Sequence, residues 1–190
     1  MKEKKRQNEE FRDSEIKKIK GMLSKKGVNI SAGDNFESLT SRGYGRLEDK
    51  EFVLSFYETL FFQSKGLLEV FKGKSRKSLS FQELLHQFKL VDENVWVKYL
   101  IYRDLRSRGY VVREGFGLGI DFRVYERGEY GKATATYLIL GIQEGKPMRV
   151  KELAGILKHV QSLKKKLVLA VVNRRGEIVY YTLSKLTMKK

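Results

Sequence analysis

The strongest constraint on the fold lies in the second half of the chain, where five β-branched and aromatic runs are interrupted once by a helix-patterned stretch. The runs are "YVVRE", "IDFRVYE", "TATYLILGI", "LVLAVV" and "EIVYYTL". Residues of these types fit a pleated, half-buried surface, so each run predicts a strand. Between the third and fourth, "RVKELAGILKHVQSLKK" lines up Val150, Leu153, Leu157 and Val160 on one helical face, with Pro147 just ahead of the start. Upstream, "ENVWVKYLIYRDLRSRGY" repeats Val97, Ile101 and Leu105 and stops at Gly109. The half therefore reads α-β-β-β-α-β-β, a mixed sheet with at least two helices packed on it and an α+β (mixed α/β) class.

The first half is less regular. Residues 1–20 are a mixed-charge run, a basic N-terminal arm able to touch phosphate. Beyond it, Gly21, Gly27, Gly33, Gly43 and Gly45 separate short apolar groups, which predicts short strands and turns. Phe52, Phe56, Leu60 and Phe61 predict a helix that ends at Gly66. Ser80 and Glu83 form an S-x-x-E capping box that opens another helix, Phe81 to about Leu90. A boundary is expected in "KGKSRKSLS", residues 72–80, giving an arm (1–20), a small N-terminal α/β domain (21–78) and a C-terminal domain (79–190).

Composition narrows the function. There is no cysteine, which excludes disulfides, thiol chemistry and the usual zinc frameworks. No window approaches the ~18 consecutive apolar residues of a membrane span, and the N-terminus lacks the apolar core of a secretory signal, so the cytoplasm is the expected location. A formal net charge of +16 calls for a polyanionic partner, for which nucleic acid is the leading candidate. The densest cationic stretch is Lys146, Arg149, Lys151, Lys158, Lys164, Lys165 and Lys166, against the single acid Glu152. Tyr137, Tyr180 and Tyr181 lie near it along the chain. Cations that neutralise phosphates beside aromatics that stack on bases suit structured RNA with unpaired nucleotides.

Three other features bear on chemistry. Gly115, Gly117 and Gly119 form G-x-G-x-G ahead of a strand, whereas a dinucleotide loop needs G-x-G-x-x-G between a strand and a helix. A turn with close strand approach is expected instead. The two histidines, His86 and His159, each fall on a predicted helix, either as an acid–base pair or as packing and surface residues. Asp121, Glu126 and Glu129 cluster in sequence, but no E-x-K follows on the next strand, which disfavours a nuclease metal site.

"YLIYRDLRSRGYVV", "DFRVY", "LAGILKHVQSLKKKLVLAVV" and "EIVYYTL", in that order, resemble the archaeal tRNA-splicing endonuclease family. "YGRLEDKEFVLSFYETLFFQSKGLLEV" looks like the segment ahead of that family's catalytic domain, and the resemblance spans roughly residues 42–186. It implies a nuclease-like C-terminal domain that cuts precursor tRNA at bulge-helix-bulge motifs with no metal or other cofactor, leaving a 2′,3′-cyclic phosphate and a 5′-hydroxyl. A Tyr takes the proton of the 2′-OH, a His protonates the leaving 5′-oxygen, and a Lys steadies the phosphorane.

Carried onto this sequence, the resemblance puts Leu118 in the Tyr position, Thr134 in the His position and Lys165 in the Lys position. Lys158 stands where family members clamp a bulged base with an Arg. Leucine and threonine do no acid–base work near neutral pH. The resemblance thus implies a non-catalytic structural subunit of a heterotetramer, bound to precursor tRNA through Arg149, Lys151, Lys158, Lys164 and Lys166. Its partner is a catalytic paralogue, and dimerisation runs through the final strand, with Glu177, Ile178, Leu183 and Leu186 at the interface. The family's acidic docking loop before that strand is here "NRRGE", with Glu177 its only acid. Two alternatives remain open: an active metal-independent RNA endonuclease with a relocated site, using Tyr125 or Tyr130 with His159, and a basic structured-RNA-binding protein outside splicing.

Overall fold

The computed structural model describes residues 19–31, 36–48, 51–117 and 119–185, which divide into two compact units, one ending at Tyr99 and one beginning at Leu100. The basic arm lies outside the described residues except for Ile19 and Lys20, which open the first strand.

The first unit is built on a six-stranded sheet of order β3-β4-β2-β1-β5-β6. Its strands are β1 (Ile19–Ser24), β2 (Gly27–Ile30), β3 (Arg46–Glu48), β4 (Glu51–Leu54), β5 (Leu68–Phe71) and β6 (Ser78–Leu79). Helices α1 (Phe36–Ser41), α2 (Phe56–Ser64) and α3 (Phe81–Lys89) complete the unit. The expected helix over Phe52–Gly66 begins four residues late, and Phe52 belongs to β4. The reason is local: Ser55 caps α2, its hydroxyl accepting from Glu58 N–H while the Glu58 carboxylate accepts from Ser55 N–H. That capping box sets the helix start and leaves Glu51–Leu54 extended, paired with both β2 and β3. The Ser80–Glu83 box opens α3 as expected. Residues 72–80 link β5 to β6, form β6 and cap α3, all within the first unit.

Glu58 is also a core fastener. It is 4% exposed, and its carboxylate accepts from Gly45 N–H (3.0 Å), Ser55 N–H (2.9 Å) and Ser55 hydroxyl (2.9 Å). Buried donors that lose their acceptor each cost about 1–3 kcal/mol. Glu58→Ala is therefore expected to destabilise this unit by about 3 kcal/mol or more, read as a lowered urea midpoint at unchanged slope.

The second unit carries a five-stranded sheet of order β11-β10-β9-β8-β7. All five strands expected from the sequence are present: β7 (Val111–Gly117), β8 (Ile120–Tyr125), β9 (Tyr137–Gln143), β10 (Lys166–Val172) and β11 (Ile178–Leu183). β9 and β10 run parallel, joined by helix α5 (Val150–Ser162), while the other neighbours are antiparallel. α5 covers one face through Ile156 and Val160, which join Leu138, Leu140, Leu167 and Ile120 in a buried cluster, with Leu153 and Leu157 packed against it. Helix α4 (Val95–Ser107) crosses the division between the units, and its Tyr102 packs on Phe122 of β8.

Candidate functional site

Strand register decides which side chains meet. Val124 on β8 lies opposite Tyr137 on β9, and Lys166 on β10 lies beside the same Tyr137. Tyr125, Thr134 and Lys165 are immediate or near chain neighbours of those three positions, so one end of the sheet collects all of them. Arg123 lies opposite Leu138, which packs under α5, and strand alternation puts Tyr125 on that same face. The Tyr125 ring meets Tyr130 edge-on, with centroids 5.1 Å apart.

Lys165 is delivered by the end of α5. Lys164 sits at φ 55°, in the left-handed region that costs an ordinary side chain about 1–2 kcal/mol. Lys165 N–H returns to Val160 O (3.2 Å), and Lys166 N–H reaches Thr136 O (3.2 Å). The turn aims the Lys165 ammonium at Thr134, whose hydroxyl it meets at 2.5 Å. Beside this pair, the Lys166 ammonium lies 5.6 Å from the Tyr137 ring centroid. Desolvation, with the charge and hydrogen bond of Glu126, raises the Tyr137 phenol above its ordinary pKa.

Leu118 lies outside the described residues. Its neighbours Gly117 and Gly119 close the β7–β8 hairpin, at the opposite end of β8 from Tyr125. The glycines serve sheet geometry, as expected. A bulge falls between Glu114 and Gly117, and a Cβ on Gly115 would lie 1.9 Å from Ile120 O. Asp121 is also structural: its carboxylate accepts from Gly141 N–H (2.7 Å), extending the β8–β9 pairing past Phe122. Among the described residues, no group of three His, Asp or Glu gathers in a way that could hold a metal ion.

The cations named for RNA fall into two groups along α5, whose 13 residues span about 20 Å. Arg149 and Lys151 stand at its start, Lys164 and Lys166 at its end, and Lys158 between them; all five are exposed. Lys151 and Lys158 share an outward face with the small Ala154 and Gly155. His159 is half-buried in the last turn, and His86 is on α3 in the other unit.

β11 is a sheet edge. Its Ile178 and Leu183 are half-buried, Leu186 lies outside the described residues, and Val179 and Tyr181 are 50% and 53% exposed. The turn ahead of it is held by Asn173, whose side-chain oxygen accepts from Arg175 N–H and Glu177 N–H (both 2.9 Å) and whose amide donates to the Glu177 carboxylate (2.6 Å). The one acid of this turn is thus engaged internally, while Arg174 and Arg175 are exposed.

A cluster with no sequence signal ties β11 to α4. Tyr180 O–H donates to Asp104 (2.7 Å), and Arg108 holds the same carboxylate through Nε (2.8 Å) while its guanidinium lies 5.5 Å from the Tyr180 ring centroid. Burial, then the bond to Asp104 and its charge, push the Tyr180 phenol well above its ordinary pKa. A proton held more tightly in the folded chain stabilises fully below the unfolded value near pH 10 and is lost as pH rises beyond it. Stability should therefore fall with alkalinity above about pH 10, and Tyr180→Phe should flatten that decline in chemical denaturation at about pH 9 to 11.

No helix among the described residues is long and apolar enough to cross a membrane. The family model described as tRNA intron endonuclease, catalytic C-terminal domain, matches residues 95–180, and that described as tRNA intron endonuclease, N-terminal domain, matches residues 19–85. A tRNA-splicing endonuclease of Methanococcus maripaludis is 35% identical over 172 residues, covering 90% of this chain and 97% of the relative. Those of Pyrococcus furiosus and Methanothermobacter thermautotrophicus are 34% and 30% identical, covering 74% and 86% of this chain and 80% and 95% of the relatives.

Proposed function

The chain belongs to the tRNA intron endonuclease family, and we propose that it acts in removing introns from precursor tRNA as a subunit that binds RNA but does not cut alone. The single observation that carries this reading is the Lys165–Thr134 contact, an ammonium set against a hydroxyl where the family resemblance calls for an imidazole.

Cleavage of this kind needs three events. The 2′-oxygen attacks phosphorus as its proton passes to a base, negative charge builds on the phosphorane oxygens, and the P–O5′ bond breaks as the 5′-oxygen gains a proton. Lys165 is suited to the second event, since its fixed positive charge stabilises the phosphorane. For the first, Tyr125 is a better candidate than the Leu118 position. The register supports it, with Tyr125 next to Val124 at the sheet end that holds Thr134 and Lys165. For the third event the Thr134 position offers no donor, because a threonine hydroxyl does not release its proton near neutral pH. The chain then holds the phosphate without protonating the leaving group. A catalytic paralogue with the full Tyr-His-Lys set supplies the cutting site, in a heterotetramer that pairs subunits through the β11 edge with its exposed Val179 and Tyr181.

Two measurements test this. The chain alone should leave a bulge-helix-bulge precursor tRNA intact and should support cleavage when mixed with the paralogue; rapid cutting by the chain alone would overturn the reading. Thr134→His should install the missing acid and raise cleavage by the isolated chain about a hundredfold or more over wild type, with Tyr125→Phe removing the gain. A requirement for Leu118→Tyr alongside Thr134→His would return the base to the Leu118 position.

A further inference from the structure

Between Glu69 and Glu83 the chain carries Lys72, Lys74, Arg76 and Lys77 and no acid. These cations sit on the exposed turn that joins β5 to β6 in the first unit. The turn has a defined shape: Ser75 N–H returns to Lys72 O (3.2 Å), and Lys77 N–H donates to the Ser75 hydroxyl (3.2 Å). The Lys72 ammonium reaches across to the Gln87 side-chain oxygen on α3 (3.1 Å). Beside it runs a groove of about 370 Å³ lined by Lys72, Leu79, Gln82, Glu83, His86 and Gln87. The one carboxylate in that groove, Glu83, is engaged by Ser80 N–H (2.7 Å) in the capping box of α3, so the lining offers amide and imidazole hydrogen-bonding groups beside the cations.

None of the exposed large apolar side chains among the described residues belongs to the β5–β6 turn or to α3 itself; Leu90 and Val91 follow the last residue of that helix. A protein partner would be expected to find aromatic or apolar anchors at its contact centre. A turn of four exposed cations beside amides, with no exposed large apolar side chain of its own, instead matches the sugar-phosphate backbone, which is bound through charge and hydrogen bonds without reading bases. We propose that the β5–β6 turn and the adjoining face of α3 form a second RNA-contact surface, which grips phosphates independently of the Lys165 site. This rests on the reading of RNA as the protein's polyanionic partner.

The test uses the full chain and a precursor tRNA with a bulge-helix-bulge intron, with binding followed by fluorescence anisotropy over about 50–300 mM salt. Lys74→Gln with Arg76→Gln is compared with Lys25→Gln plus Lys65→Gln, which removes the same charge from exposed positions elsewhere in the unit. The hairpin pair should weaken binding about tenfold at low salt and reduce the slope of log K against log salt by about two, one for each phosphate that a cation of the turn neutralises, with unchanged thermal melting. The Lys25/Lys65 pair should leave the slope near wild type. Equal losses in both pairs would reduce the effect to net charge and overturn the proposal, as would an unchanged slope in the hairpin pair. Absence of any RNA binding by wild type would overturn the proposed function as well.

Discussion

Parallel pairing of β9 with β10 is the constraint on which the second unit depends. Two adjacent strands running the same way cannot be joined by a tight turn, so the chain must cross over the sheet, and α5 is that crossover. Burying Ile156 and Val160 under the sheet fixes where the helix ends, and the left-handed turn at Lys164 fixes where the chain re-enters. Lys165 reaches Thr134 as a result. These residues are 31 positions apart in sequence and meet because the register sets Lys166 beside Tyr137.

The charge distribution follows a consistent logic. Cations are exposed along α5, on the β5–β6 turn and at the β10–β11 turn, while the carboxylates described above are engaged by internal partners. Glu58 holds a loop and a helix start, Asp121 extends a strand pairing, Asp104 binds Tyr180 and Arg108, and Glu177 is bonded by Asn173. With a formal net charge of +16, the surface field is strongly positive, the condition for attracting a polyanion at a rate that salt will screen. In the proposed assembly, an arginine-bearing turn ahead of β11 cannot present the acidic docking contact expected of the family. Subunit pairing then falls on the apolar edge formed by Val179 and Tyr181.

Much of the fold was legible because its signals are local. β-branched runs marked all five strands of the second sheet, the four-residue apolar repeat marked α4, and the apolar face from Val150 to Val160 marked α5. The Ser80–Glu83 box announced α3 from two residues. Phe52 misled because an aromatic every four residues fits a helix as well as a strand followed by a helix, and the Ser55–Glu58 box that separates them competes with that pattern. The site was legible in part. Thr134 and Lys165 emerged from the resemblance and do meet; Tyr125 closes β8 at their end of the sheet, and Leu118 lies outside the described residues. The Tyr180–Asp104–Arg108 cluster left no sequence signal, since its members are joined across 76 positions by packing alone.

The order of residue types dictated the second sheet's strands, its crossover helix and the chain's excess of positive charge. Each of these follows from residue type and near-neighbour spacing, which the chain carries without folding. Folding alone brought Tyr125 to the sheet end that holds Thr134 and Lys165, and made the basic stretch at 72–77 a surface turn between two strands. Those facts depend on strand register and on which face each side chain takes. A shift of one residue would exchange the faces, and only the packed core selects between the two.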